Sequence, residues 1–242
     1  MTTKKMAVMK KYCILISSAI LSIFAISCSK NEIRENSVNP ENQQTTQTEM
    51  GEVPEGYVRL VFGADAELTK TSISEAEDGK RIVNWVAGDK VKVSYAGGST
   101  STLAAESGAL THFTVDVPEG TEQLYFSYPF DAAASLDGTT LSLGIPAEQD
   151  GAFANANYVL ASASASAENI HFYNAGALFK IILDDASITK AVITGNNGEA
   201  LCGTVPFTFS ESGITPGTPA STGTSVTVNF NGAGTYYVSA LP

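Results

Sequence analysis

Cysteine, histidine and basic side chains are all scarce in this 242-residue chain, and each scarcity removes a class of function. Of three cysteines, Cys13 lies inside an N-terminal apolar run and Cys28 just after it, which leaves Cys202 alone in the body. A disulfide framework needs pairs. A structural zinc site needs four closely spaced ligands, which Cys202 and the distant His112 and His171 do not supply. The fold must therefore be held by a packed core, in which Cys202 reads as a small buried hydrophobe. Only 14 Lys and Arg face 25 Asp and Glu, for a formal net charge of -11. A polyanion has no basic patch with which to displace counterions from nucleic acid or to hold an anionic membrane by charge. Catalytic patterns are missing as well: there is no Gly-x-Ser-x-Gly elbow, paired-histidine zinc helix, phosphate-cradling Gly-rich loop or EF-hand spacing. The expectation is a non-enzymatic protein with no cofactor and no metal.

What the sequence does have begins at its N-terminus. Lys4, Lys5, Lys10 and Lys11 precede an apolar run from Cys13 to Ile26, followed by the small residue Ser27. Basic, apolar and small segments in that order make a secretory signal, and the run is shorter than the ~20 residues a spanning helix needs. Residues 1–27 are thus expected to be removed, which takes away four lysines and no acids and moves the formal charge from -11 to -15. Ala25-Ile26-Ser27-Cys28 resembles the lipobox of bacterial lipoproteins, which makes Cys28 the residue expected to carry acyl chains. Ser29, Lys30 and Glu32 after it look like the surface-export signal of Bacteroidetes-type lipoproteins.

Residues 28–56 read as the lipidated N-terminus and a flexible tether. Stretches such as Asn42-Gln43-Gln44-Thr45-Thr46 cannot bury enough surface to offset their ordering entropy. From Tyr57 the pattern changes to short apolar alternations punctuated by Gly, Pro, Ser and Asp: 57–62, 81–85, 91–95, 113–117, 124–129 and 141–143. Many short strands with such punctuation indicate an all-β, antiparallel sandwich. The Ala/Ser alternation of 161–167 is compatible with either an edge strand or a connector, and a domain boundary is placed near Ala167. That divides the body into a first β domain, 57–167, and a second, 168–242.

In the second block Leu178-Phe179-Lys180-Ile181-Ile182-Leu183 reads as a strongly apolar strand. The Asn197-Gly198 pair reads as a tight hairpin turn between strands at 191–194 and 201–209. Asp184-Asp185 reads as a solvated strand end rather than an acid/base pair, because successive strand residues point to opposite faces. His112 and His171 read as partly exposed strand residues. The aromatics Tyr125, Phe126, Tyr128, Phe130, Tyr236 and Tyr237 are core material first and a sugar-stacking platform second.

Six stretches carry a family likeness. Phe172 to Ile181, Ile193 to Gly203 and Gly234-Thr235-Tyr236-Tyr237-Val238, together with Lys70-Thr71-Ser72, Val83-Asn84-Trp85 and Ala87-Gly88-Asp89-Lys90-Val91, resemble the fimbrillin-like lipoproteins of Bacteroidetes. That resemblance implies two transthyretin-like β-sandwich domains and a pilus subunit or tip/adhesion protein of the cell outer membrane. Its implied partners are other pilus subunits by strand exchange, the membrane through the lipid, and surface ligands. In polymerising members a trypsin-like protease cuts after an Arg or Lys near the first strand, and the vacated groove takes a strand from another subunit. Arg34 and Arg59 are the candidate cut sites here. The second domain, at about 75 residues where an immunoglobulin-sized sandwich takes ~100, reads as incomplete. The runner-up is an outer-membrane glycan-binding lipoprotein. Replacing the lipid-bearing residue by Cys28→Ala is expected to release the protein from the membrane fraction on cell lysis, since several acyl chains anchor durably where none would. Continued membrane association of that variant would contradict lipid attachment.

Overall fold

A computed structural model describes residues 51–64, 72–75, 81–130 and 134–241. The signal segment 1–27, Cys28, Arg34 and the tether as far as residue 50 lie outside the described residues. The described residues make one compact unit. The chain runs through β1 (Tyr57–Ala64), β2 (Ser72–Glu75), β3 (Arg81–Asn84), β4 (Lys90–Tyr95), β5 (Gly98–Leu103), β6 (Thr111–Pro118) and β7 (Gln123–Tyr128). There follow β8 (Ser135–Asp137), β9 (Thr140–Ile145), β10 (Glu148–Gln149), a single-turn helix α1 (Phe153–Ala156), β11 (Val159–Ser164), β12 (Asn169–Ile170) and β13 (Tyr173–Asn174). The last part holds β14 (Ala177–Leu183), β15 (Lys190–Thr194), β16 (Cys202–Ser210), β17 (Gly213–Pro216), β18 (Ser221–Gly223), β19 (Ser225–Asn229) and β20 (Gly234–Ala240). The fold is all-β and mostly antiparallel; β1 with β12 and β10 with β19 are the parallel pairs among the described strands.

Two sheets face each other across the first core. One is β12-β1-β6 and the other β13-β11-β7-β4-β5. Alternation decides which side chains enter: Thr111, Phe113, Val115 and Val117 of β6 point inward, and the residues between them are half-buried or exposed. Trp85 sits at the centre, edge-on to Phe113 at 5.1 Å, Phe172 at 5.2 Å and Tyr128 at 5.8 Å between ring centroids. Such edge-to-face contacts suit the ring quadrupoles and fix the aromatics in place. At one margin the sheets meet, where Ala104 bridges Phe113 and the Thr102 hydroxyl donates to the Thr114 carbonyl at 2.6 Å.

The second sheet of that sandwich departs from simple alternation. Five successive residues of β7, Leu124 to Tyr128, are buried. Leu124, Phe126 and Tyr128 face the first core, while Tyr125 faces a second core with Leu141, Leu143, Ile145, Leu160, Val205 and Phe207. The sheet is therefore covered on both sides. Its neighbour β11 answers with small residues, Ala161 opposite Phe126 and Ser162 opposite Tyr125. The low-complexity Ala/Ser stretch is a strand as far as Ser164, residues 161–164 pairing with β7 alone among the described strands while β13 reaches only Val159 and Leu160, and residues 165–167 then turn toward β12. Small side chains are what fit where bulky neighbours occupy both faces.

The second core lies under the sheet β17-β16-β9-β8, with β18 also on β16. Strands on both sides of Ala167 share sheets: β9 pairs with β16, and β12 pairs with β1. Gly203 is fixed by close approach, since it lies between β9 and β18 with φ +130 and a Cβ there would run into the Ser221 carbonyl. The Asn197-Gly198 turn forms, with Gly198 at φ +78, yet it joins no hairpin. β15 pairs with β19 instead, and β16 crosses to β9 because Val205 and Phe207 are buried in the second core.

A third core lies among Cys202, Val226, Val228, Phe230 and Val238, with Ile181, Leu183, Ala191 and Ile193 packed against it. Cys202 is buried there, its Sγ donating to the Ser225 carbonyl at 3.3 Å.

Three buried phenols respond to pH. Burial raises Tyr125, and burial with the Asp89 charge raises Tyr128 well above the ordinary tyrosine range. Burial, with the Asp150 charge adding to it, pushes Tyr158 up to about 12. The unfolded chain sheds these protons at about pH 10 while the folded chain keeps them, so stability is intact below about pH 10 and falls as pH rises toward about 12. Tyr158 alone accounts for roughly 3 kcal/mol across that window. Denaturant midpoints followed by circular dichroism should be flat to about pH 10 and then drop, less steeply in Tyr158→Phe; an equal drop in that variant would contradict the assignment.

Candidate interaction site: an open apolar strand edge

β14 is the strand whose surroundings fit its sequence least well. Five of the six residues from Leu178 to Leu183 are large and apolar. Such a run reads as a strand buried on both faces, but Leu178 is 40% exposed, Phe179 46% and Ile182 66%. Among the described strands β14 pairs with β20 alone, in continuous register from Ala177 opposite Ala240 to Leu183 opposite Gly234. Ile181 and Leu183 reach the third core, and Lys180 is the one charge within the run.

The opposite edge of β20 is closed by contrast. Tyr237 N donates to the Gly151 carbonyl at 2.8 Å. The Gln149 side chain acts as a ladder residue, accepting from Ser239 N at 2.8 Å and donating to Ser239 O at 2.7 Å. Nearby, β15 leaves Val192 56% exposed on its outer face, and Ile188 in the connecting loop is 42% exposed. An unpaired strand edge offers a row of free N–H and C=O groups, and apolar side chains beside it add a surface to cover. Chemically the arrangement can accept an extended chain by main-chain hydrogen bonding.

The residues expected to matter fall in different places. Arg59 lies midway along β1, in register with Asp116 of β6. Its Nε and Nη2 both donate to the Asp116 carboxylate at 2.7 Å, a bidentate pair that holds the carboxyl below its usual range and the guanidinium above. A protease that reads an extended chain meets Arg59 only after β1 leaves β6. Tyr125, Phe126 and Tyr128 are buried, so they form no sugar platform. Tyr236 and Tyr237 are half-buried, with Tyr236 Oη donating to the Gly232 carbonyl and accepting from Asn231 N.

His112 is exposed and pairs through Nδ1 with Glu106 at 2.8 Å, whereas His171 is half-buried and stacks edgewise on Tyr173 at 4.8 Å. Asp185 closes a turn by accepting from Ser187 N at 2.8 Å. Among the described residues no group of three or more His, Cys, Asp or Glu is arranged to hold a metal ion, and no helix is long and apolar enough to cross a membrane.

The exposure of Leu178 and Ile182 had no sequence signal, because a run apolar on both faces carries no alternation. Two lysines of β4 were also passed over. Lys90 and Lys92 alternate with the buried Val91 and Val93, a pattern that assigns both to the outward face.

No protein-family model and no curated protein matches the chain. A solved structure from Bacteroides ovatus, provisionally described as a cell adhesion protein, is similar at 11% identity over 77% of this chain and 78% of its own, with a TM-score of 0.44. A likeness of that degree carries no functional inference.

Proposed function

We propose that the protein is a non-enzymatic, surface-exposed lipoprotein of the outer membrane that serves as a pilus subunit or adhesion protein and joins its neighbours by β-strand addition. One observation carries this reading: among the described strands the apolar β14 has a partner on one edge only, with Leu178, Phe179 and Ile182 exposed. The lipobox-like Ala25-Ile26-Ser27-Cys28 and the fimbrillin-like motifs support the location and the family. In strand addition the main chain supplies affinity, and alternate side-chain positions supply specificity. A strand laid along β14 would take up its free main-chain edge, flank Leu178 and Ile182 on the outward face and extend the inward face that carries Phe179 and Ile181. Arg34 and Arg59 are the proposed processing sites. Arg59 becomes accessible on release of β1, which would free its edge of the first sandwich for a second strand.

The test is assembly on intact cells. The wild-type chain should be labelled by a membrane-impermeant reagent and should run in unboiled samples as SDS-resistant species larger than a monomer. The double variant Leu178→Lys, Ile182→Lys places charge along the edge, as natural proteins do to block pairing. It should fold with a melting temperature near that of wild type and run as a monomer. Absence of larger species and of surface labelling in the wild type, or their survival in the variant, would overturn the proposal.

A further inference from the structure

A separate groove lies on the outward face of β4 and β5. The second core covers the β7 and β11 part of this sheet face, through Tyr125 and Leu160, and leaves the β4–β5 margin open. Register puts Lys92 beside Ser101 and Ser94 beside Ser99, all on that face. The resulting groove, of about 450 Å³, is lined by Lys92, Ser99, Ser101 and Phe130, and continues into a second of about 330 Å³ that shares Lys92 and Ser99 and is walled by Ala134.

Both lysines beside it are held in place. The Lys90 ammonium sits 3.7 Å from the centroid of the Phe130 ring, a cation–π seat that leaves its outer side free. Lys92 Nζ donates to the Ala134 carbonyl at 2.6 Å, which uses one of three ammonium protons. Residues i and i+2 of a strand lie on one face ~7 Å apart. Lys92 thus stands in a row with the hydroxyls of Ser99 and Ser101, which can both donate and accept, and Lys90, opposite the exposed Leu103, stands at the end of that row. The nearest described carboxylate in sequence, Asp89, is engaged elsewhere and accepts from Val86 N at 2.6 Å. In a body of formal charge -15 without its signal, this pairing of lysines is a local exception. At physiological salt the distant acids are screened beyond about 8 Å, so the local charge decides what binds.

We infer that this groove binds an acidic oligosaccharide, its carboxylates on Lys90 and Lys92 and its hydroxyls on Ser99 and Ser101. A saccharide fits better than a simple anion because the groove extends past the lysines along hydroxyl-bearing strand surface, and better than an apolar ligand because its floor is polar. The assignment uses none of the residues of the β14 edge, so either reading can fail without the other.

Calorimetric titration of the purified protein with tetragalacturonate tests it, beside the same oligosaccharide with its carboxylates methyl-esterified and beside sodium sulfate. The acid form should bind, and the ester should bind at least about tenfold more weakly, the scale of a lost charge-assisted hydrogen bond. Lys90→Gln and Lys92→Gln should each weaken the acid form by about tenfold, with melting temperatures unchanged, and Ile182→Lys on β14 should leave it unaffected. Lys90→Gln keeps the test valid if loss of the Ala134 contact disturbs Lys92→Gln. No binding of the acid form, equal binding of the ester, unchanged affinity in Lys90→Gln, or displacement by equimolar sulfate would each overturn the proposal.

Discussion

The two faces of β7 hold the described body together. Tyr125 and Phe126 are neighbours in sequence and point in opposite directions, one into the second core beside Phe209 at 5.3 Å, the other into the first beside Phe62 at 5.6 Å. A strand loaded with bulk on both sides needs a slim companion, and the Ala/Ser alternation of β11 supplies it. Because β9 and β16 pack over the outer face of that sheet, residues that a linear reading assigns to separate blocks share cores. The same stacking ends at β4, which is why the margin with Lys90, Lys92 and β5 remains open as a groove.

β14 has the opposite relation to its sequence. It is as apolar as β7, yet among the described residues it has one strand neighbour and one packed face. Isolated surface hydrophobes need no explanation, but a line of them along an unpaired edge is a template for another strand. The contrast with β20 sharpens this, for there Gln149 and Gly151 occupy the far edge with three hydrogen bonds to Tyr237 and Ser239. One side of this two-stranded sheet is closed by specific contacts, and the other has no strand against it among the described residues. The β14 edge and the β4–β5 groove lie on different surfaces, so neither proposed role competes with the other.

Much of the architecture was legible in the sequence because alternation is a local property. The strands at Tyr57, Val91, Phe113 and Leu124 stand where their periods place them, and the all-β class follows from their number and punctuation. What was not legible depends on which strands meet. Asn197-Gly198 specifies a turn, but whether the flanking strands then pair is decided by where Val205 and Phe207 find a core. Tyr125 and Tyr128 were rightly weighed as core first, and the platform role is excluded by their burial. The site was the least legible part. A run apolar on both faces looks the same in sequence whether both are covered or one awaits a partner, and Arg59 gives no sign of its clasp on Asp116 across 57 residues.

The openness of the β14 edge is tested most directly by amide hydrogen exchange in the isolated protein. Alternate amides between Ala177 and Leu183 should be protected by β20, and the intervening ones should exchange at rates near those of an unstructured chain, while Tyr125, Phe126 and Ser127 of β7, paired on both edges, are protected throughout. Uniform protection along β14 would mean that its outer edge is already satisfied within the chain, and would contradict a strand-accepting site there.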